Sequence, residues 1–389
     1  MSDKSYLQWP FFEERHRQLA QALEIWAAEH LSNLDHSDTD ELCKSLVKAL
    51  GDGGWCQHTG VDPADPGSTL DVRSLCLIRE TLARHDGLAD FSFAMQGLGT
   101  GAISLFGTTQ QRNQWLTATR SGGAISAFAL TESQSGSDVA NLAMSATRES
   151  DGYVLNGEKT WISNGGIADM YTVFARTGDA PGAKGLSAFI VPADTTGLDV
   201  AERLETIAPH PLATLEFNDC RIPSSALLGK QGDGFKIAMS VLDIFRPTVA
   251  AAALGFARCA FDEALGRVNE RKIQGTALAE FQMVQGHIAD MALSIDASAL
   301  LVYRAAWLKD IGAPRITREA AMAKLFSTEQ AQKVIDQAVQ LHGGDGVRFG
   351  TTVEKLYREI RALRIYEGAS DVQKIIIARQ ALAAHQGEQ

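Results

Sequence analysis

The sequence predicts an α+β chain of several domains: an N-terminal α-helical part, a middle antiparallel β-barrel or sandwich, and a C-terminal bundle of long helices. Three observations carry that expectation. Apolar residues recur at three- and four-residue steps from Phe12 to Trp115. From Ala124 to Phe217 the pattern turns strand-like, with Gly- and Pro-rich breaks. Past Pro223 the helical period returns in runs long enough for a bundle. A chain of 389 residues has room for two or three domains.

The first helix is predicted on the face Phe12, His16, Leu19, Leu23, Trp26, Ala27, His30 and Leu31. Ser37, Asp38 or Thr39 caps a second, through Leu42, Leu46, Val47 and Leu50 to Gly51. Asp71 opens a third, which runs to Gly87; an apolar stretch follows from Phe91 to Phe106, and Thr109 starts a short helix through Trp115. Ala124 to Thr131 reads as a strand. Residues 151–162 read as two strands about Asn156-Gly157, a dipeptide that between β-formers signals a hairpin. Met170–Arg176, Leu186–Val191 and Ala213–Phe217 complete the strands. Long helices are predicted over Phe235–Asp243, Pro247–Arg271, Ala279–Ile311, Thr317–Leu341 and Asp371–Ala384. Pro247 suits a first helical turn, where its missing N–H is no loss, and Ser370 caps the last helix. Strands and helices do not alternate, and no G-x-G-x-x-G follows a strand, which disfavours a Rossmann fold.

Composition narrows the function classes. Hydrophobic residues make up 45% and charged ones 21%, ordinary for a folded chain. A net charge of -11 argues against a nucleic-acid surface, though local arginines can still serve an anionic ligand. Cys43, Cys56, Cys76, Cys220 and Cys259 are scattered and form no Cys-x-x-Cys pair, which fits reduced thiols and gives no metal framework. The nine histidines are dispersed as well. Met1 to His16 lacks both a signal-peptide core and the character of an import peptide. No run approaches the ~18 apolar residues of a membrane span. The expectation is a cytoplasmic chain without metal, nucleic acid or membrane span.

Three stretches carry chemistry. Phe128, Leu130 and Thr131 lead into a polar loop with Glu132, Gly136, Ser137 and Asp138, rich in N–H groups and hydroxyls that suit an anionic or carbonyl-rich ligand. Trp161-Ile162-Ser163-Asn164-Gly165-Gly166 sets an aromatic ring and a hydroxyl on one strand face, able to cover a planar ring and bond its edge. Ile365-Tyr366-Glu367-Gly368-Ala369-Ser370 puts a carboxylate after an apolar pair, and loss of water raises such a group towards the range of a base. Taken singly, the bland readings win: a hairpin loop, core packing, a surface glutamate ending a helix.

Together, in this order and at these separations, the three resemble the acyl-CoA dehydrogenase family of flavoproteins. The likeness covers nearly the whole chain and is strongest from Ala124 onward. It implies an N-terminal α-helical domain over 1–123, a middle antiparallel β-barrel over 124–230 and a C-terminal four-helix bundle over 231–389. The implied activity is FAD-dependent α,β-dehydrogenation of an acyl-CoA thioester to the trans-2-enoyl-CoA. The implied partners are an electron-transfer flavoprotein and further copies of the chain, in a homotetramer or homodimer.

The resemblance also implies roles. Glu367 is the base that takes the α-proton, and its backbone N–H helps hold the thioester oxygen. Phe128, Leu130 and Thr131 hold the flavin pyrimidine; Gly136 and Ser137 lie near the pyrophosphate and the substrate. Trp161 flanks the flavin ring. Ser163, where many members have threonine, bonds near N5. Arg271, Gln274, Gln282, Gln340, Gly343 and Gly344 serve the adenine half of a neighbouring copy's FAD, with Gln274 replacing the usual aromatic. Ala369, in place of the usual threonine, and Asp371 complete the cofactor set. Asp243 and Arg246 belong to the helix that meets the CoA arm, and Tyr366 and Gly368 to the substrate wall. Some relatives carry the base on that helix; Phe245 stands there instead. Two other readings are an acyl-CoA oxidase-like flavoenzyme and a catalytically degenerate paralogue serving as a binding subunit. For substrate length, Phe91, Phe93 and Met95 read either as a shortened pocket floor or as core.

Overall fold

The structure is a computed structural model that describes residues 3–178 and 180–387. The outermost positions of the expected first and last domains lie outside the described residues. Along the chain run α1 (Glu14–His30), α2 (Thr39–Asp52), α3 (Val72–His85), α4 (Gly87–Phe106) and α5 (Thr109–Arg120). Strands follow as β1 (Ser126–Ala129), β2 (Ser145–Arg148), β3 (Gly152–Ser163), β4 (Met170–Arg176), β5 (Leu186–Pro192), β6 (Leu198–Arg203), β7 (Leu212–Pro223) and β8 (Leu227–Leu228). Then come α6 (Gly234–Glu270), the short hairpin β9 (Lys272–Ile273) and β10 (Thr276–Ala277), α7 (Gln282–Asp310), α8 (Thr317–His342), α9 (Thr352–Leu363) and α10 (Ser370–Gln386). The order helices, β-rich middle, helices is the one predicted. The chain forms two compact units: a helical unit of Met1–Asn33, Asp71–Asp90 and Asp243–Gln389, and a mixed unit of Leu34–Leu70 and Phe91–Leu242.

In the mixed unit the sheet order is β6-β7-β3-β2-β4-β5-β8, with β1 beside β4. Pairings are antiparallel except that β1 and β2 each run parallel to β4. Residues 152–163 form the single strand β3, not two strands about a turn. The physical reason lies at the dipeptide that signalled a hairpin. Asn156 Oδ1 accepts from Asp219 N at 2.8 Å, the pairing with β7 slips between Leu155 and Gly157, and Gly157 sits at φ 139. The Asn-Gly pair makes a bulge instead. Gln96 of α4 fixes that helix to the sheet: its amide donates to Ala124 O at 2.7 Å and accepts from Ser126 N at 2.9 Å.

The helical unit is built on α3, which is buried along nearly its whole length. Each charge it carries inward is paired, as burial demands. Arg73 meets Asp310 at 2.7 Å, Arg79 meets Asp90 at 2.7 Å, and Glu80 meets Arg258 at 2.6 Å. One helix, α6, spans what reads as two, with Pro247 inside it. Ala250 to Ala253 are fully buried, and that packing carries the helix through a residue that breaks one ladder bond. Gly255 lets α6 approach α3: a Cβ there would lie 2.2 Å from Glu80 O. Asp38 and Asp71 cap α2 and α3, accepting from Glu41 N and Ser74 N. Ser370 lies inside α10 rather than capping it.

All five cysteines are free; Cys43, Cys56, Cys76 and Cys220 are buried and Cys259 is half-buried. Burial pushes Cys43, Cys56 and Cys259 up to about 12 and Cys220 up to about 11. Among the described residues two helices, α6 and α7, are long and apolar enough to cross a bilayer, and α6 buries 83% of its apolar window within the protein. No group of three potential metal ligands occurs among the described residues.

Gly255→Ala is expected to destabilise the chain by about 1–3 kcal/mol, the usual range for overpacking. A urea denaturation midpoint displaced downward with an unchanged slope checks it.

Candidate active site

In the helical unit the chain leaves α9 and makes a tight turn before α10. Glu367 has φ 52 and Gly368 φ 94, so a glutamate occupies a conformation that glycine and asparagine usually take. Three side chains hold the carbonyls of this turn. Lys324 Nζ of α8 donates to Gly368 O at 2.8 Å, and Gln373 Nε2 of α10 donates to the same oxygen at 2.9 Å. Gln373 Nε2 also reaches Glu367 O at 3.2 Å, as does Arg246 Nε of α6 at 3.4 Å. Ser370 Oγ donates to Glu329 Oε1 at 2.5 Å, and Glu329 also pairs with Arg364 at 2.8 Å. That carboxylate draws Ser370 away from a capping role.

The Glu367 side chain, in contrast, is left alone. Its Oε2 is buried with no hydrogen-bond partner. Burial raises its pKa above the ordinary carboxylate value, opposed by the positive charges of Arg79, Lys324 and Arg246 in that order. A desolvated, unpaired carboxylate among cations that do not hydrogen-bond it is equipped to accept a proton. Its backbone N–H has no acceptor among the described residues. Arg246 Nη1 also meets Asp243 Oδ1 at 3.2 Å, while Thr317 Oγ1 donates to Asp243 Oδ2 at 2.7 Å. Asp243, Arg246, Glu367 and Gly368 are thus brought together, with half-exposed Tyr366 beside them. Ala369 and Asp371 start the helix that follows.

In the mixed unit, β1 delivers Phe128 and then Leu130 and Thr131 to a loop that β3 clamps. Thr160 N donates to Thr131 O at 3.0 Å. The fully buried Lys159 Nζ donates to Leu130 O at 3.0 Å and to Glu132 Oε1 at 2.7 Å. Glu132 in turn accepts from Ala143 N at 2.6 Å and Met144 N at 3.1 Å, closing the loop's far end. Burial pulls Lys159 down to about 8. Between these anchors Gly136 and Ser137 are exposed. On β3, Trp161 is 58% exposed, has φ 58 and falls where the pairing slips between Lys159 and Ile162. Ser163 is half-buried two residues on. An indole this bare beside a fixed loop of N–H groups and hydroxyls matches what a flavin ring requires: an apolar plane with polar contacts at its edge.

The third group lies at helix ends of the helical unit. Arg271, Gln274 and Gln282 are exposed on or beside the β9–β10 hairpin, and Gln340, Gly343 and Gly344 are exposed at the end of α8. Arg267 ties the two ends together, donating to His342 O at 3.0 Å and pairing with Asp345 at 3.0 Å. Phe91, Phe93 and Met95 are buried, Phe91 against the His210 ring at 4.4 Å. Sequence reasoning missed Lys159, Lys324 and Gln373, and named Glu132 only as part of its polar loop. Lys324 did leave a signal: it falls four residues from Ala320 and Thr328, on the buried face of α8.

The sequence models of the acyl-CoA dehydrogenase N-terminal, middle and C-terminal domains match residues 13–123, 127–220 and 232–382. This chain belongs to the acyl-CoA dehydrogenase family. It is 38% identical to the probable acyl-CoA dehydrogenase FadE25 of Mycobacterium tuberculosis over 95% of this chain and 96% of that one. It is 38% identical to the mitochondrial short-chain specific acyl-CoA dehydrogenase of Rattus norvegicus over 96% and 91%. The solved butyryl-CoA dehydrogenase of Megasphaera elsdenii superposes with a TM-score of 0.88 at 32% identity, over 95% of this chain and 99% of that one. The chain is therefore an acyl-CoA dehydrogenase, with FAD as its cofactor.

Removing the Lys159 charge strands Glu132, a change that costs about 3 kcal/mol when a buried pair loses one partner. Lys159→Met is expected to lose FAD on dialysis that leaves the parent protein loaded, read from the flavin absorbance per chain.

Proposed function

We propose that this enzyme dehydrogenates a short acyl-CoA across its α- and β-carbons to the trans-2-enoyl-CoA, with Glu367 as the base. The observation that carries this is the buried, unpartnered Glu367 Oε2. Two relatives named for short-chain and butyryl substrates support the chain length. In this reading Glu367 takes the α-proton, and its free backbone N–H donates to the thioester oxygen as negative charge develops there. Asp243 accepts from the amides of the CoA arm, Arg246 braces the wall behind the base, and Tyr366 and Gly368 line the acyl group.

Phe128, Leu130 and Thr131 would hold the flavin pyrimidine, Gly136 and Ser137 the pyrophosphate and the substrate's approach, and Trp161 and Ser163 the ring and its N5 edge. When bound, FAD supplies the acceptor for the hydrogen and electron pair leaving the β-carbon. We assign Arg271, Gln274, Gln282, Gln340, Gly343 and Gly344 to the adenine half of a neighbouring copy's FAD, with Ala369 and Asp371 near the cofactor. Exposed apolar side chains in the same region favour such an oligomer: Met283 is 79% exposed, Val347 73% and Phe349 83%. The proposed domain limits are 1–123, 124–230 and 231–389, and the proposed electron acceptor is an electron-transfer flavoprotein.

Glu367→Gln is expected to keep bound FAD and lose at least ~10²-fold in turnover with butyryl-CoA, the scale of a general base. Near-normal turnover would remove Glu367 from the role. The active form of Glu367 is ionised, so kcat should climb as pH rises through a pKa above 4.5, the ordinary value for glutamate. A profile whose acid limb falls below that value would contradict a desolvated base.

A further inference from the structure

We propose that Lys324 and Gln373 are positioning residues for the reaction: they lock the left-handed Glu367–Gly368 turn from behind, so that the base stays aimed, dry and unpaired. This rests on the reading of Glu367 as the base. The geometry is specific. Two donors from different helices converge on one carbonyl, Gly368 O, at 2.8 and 2.9 Å, and Gln373 extends the hold to Glu367 O at 3.2 Å. Gln373 packs directly on the turn, because a Cβ at Gly368 would lie 2.4 Å from its Nε2. Its Oε1 is buried without a partner, so the amide satisfies the turn at the expense of its own acceptor. These donors hold a backbone that a glutamate does not adopt unaided.

Lys324 does a second thing. Its ammonium is fully buried and bonds the carbonyl rather than the carboxylate one residue away. The positive charge therefore acts on Glu367 without occupying either of its oxygens. Burial pulls Lys324 down to about 8, so the charge is present at neutral pH and fades above it. Glu367 also feels Arg79 from α3, Asp90 from α4 and Arg246 from α6, and Lys324 feels Arg246, Glu329 and Arg364 besides Glu367. Of the cations, Lys324 is the one that holds the turn through Gly368 O.

The test is kcat against pH for FAD-loaded Lys324→Met and Gln373→Met with butyryl-CoA, beside Glu367→Gln. Both methionine variants are expected to lose about tenfold or more in kcat, within the ~10²-fold that an ångström's misplacement can cost, with KM within about twofold. Only Lys324→Met should also move the acid limb upward, by about one pH unit, because an opposing charge no longer lowers the Glu367 pKa. A kcat within twofold of the parent and an unmoved limb in Lys324→Met, with Glu367→Gln inactive, overturns this proposal and leaves the base in place. Normal turnover by Glu367→Gln overturns both. If Lys324→Met does not fold, Gln373→Met decides: an unchanged kcat refutes the hold, and a tenfold loss with an unmoved limb supports it.

Discussion

The turn at Glu367 and Gly368 is the constraint on which the helical unit converges. Arg246 of α6 bonds the Glu367 carbonyl, Lys324 of α8 the Gly368 carbonyl, and Gln373 of α10 both. The conformation they hold is disfavoured for an L-residue with a bulky side chain. Hydrogen bonds on the backbone leave the carboxylate free, whereas a buried acid is usually satisfied along with its backbone. A buried acceptor without a partner is normally a defect. Here it is the feature that makes proton abstraction credible.

The same division of labour recurs in the mixed unit. Lys159 and Glu132 take no part in the face that Trp161 presents; they pin the ends of the loop whose middle stays open. Two buried lysines, one in each unit, both sit on backbone carbonyls next to proposed site residues. Both are pulled down to about 8 by burial. Ammonium groups suit this task because a compact head with three donors can serve a carbonyl alone, as Lys324 does, or a carbonyl and a carboxylate together, as Lys159 does.

The helix–strand–helix order was legible because hydrophobic period survives tertiary context. Boundaries and special conformations were not. Asn156-Gly157 has hairpin chemistry, but an Asn side chain that can bond β7 turns the same pair into a bulge. Pro247 has break chemistry, but four buried alanines beyond it keep α6 intact. Strand β6 is exposed along most of its length and so shows little alternation in sequence; neither it nor α9 is predicted. At the site, the residue types that bear chemistry could be named from motifs. Their supports could not, since a lysine within an apolar helical run says that it is buried without saying which carbonyl it serves.

The cysteines gain a meaning from the proposed product. A trans-2-enoyl thioester is a Michael acceptor, and a thiolate is the nucleophile that adds to it. Burial holds all five thiols above their ordinary range, so the thiolate is scarce at neutral pH. Four of the five sulfurs are also closed off from solvent. Burial of the thiols thus works against alkylation of the enzyme by the enoyl thioester that the proposed reaction releases.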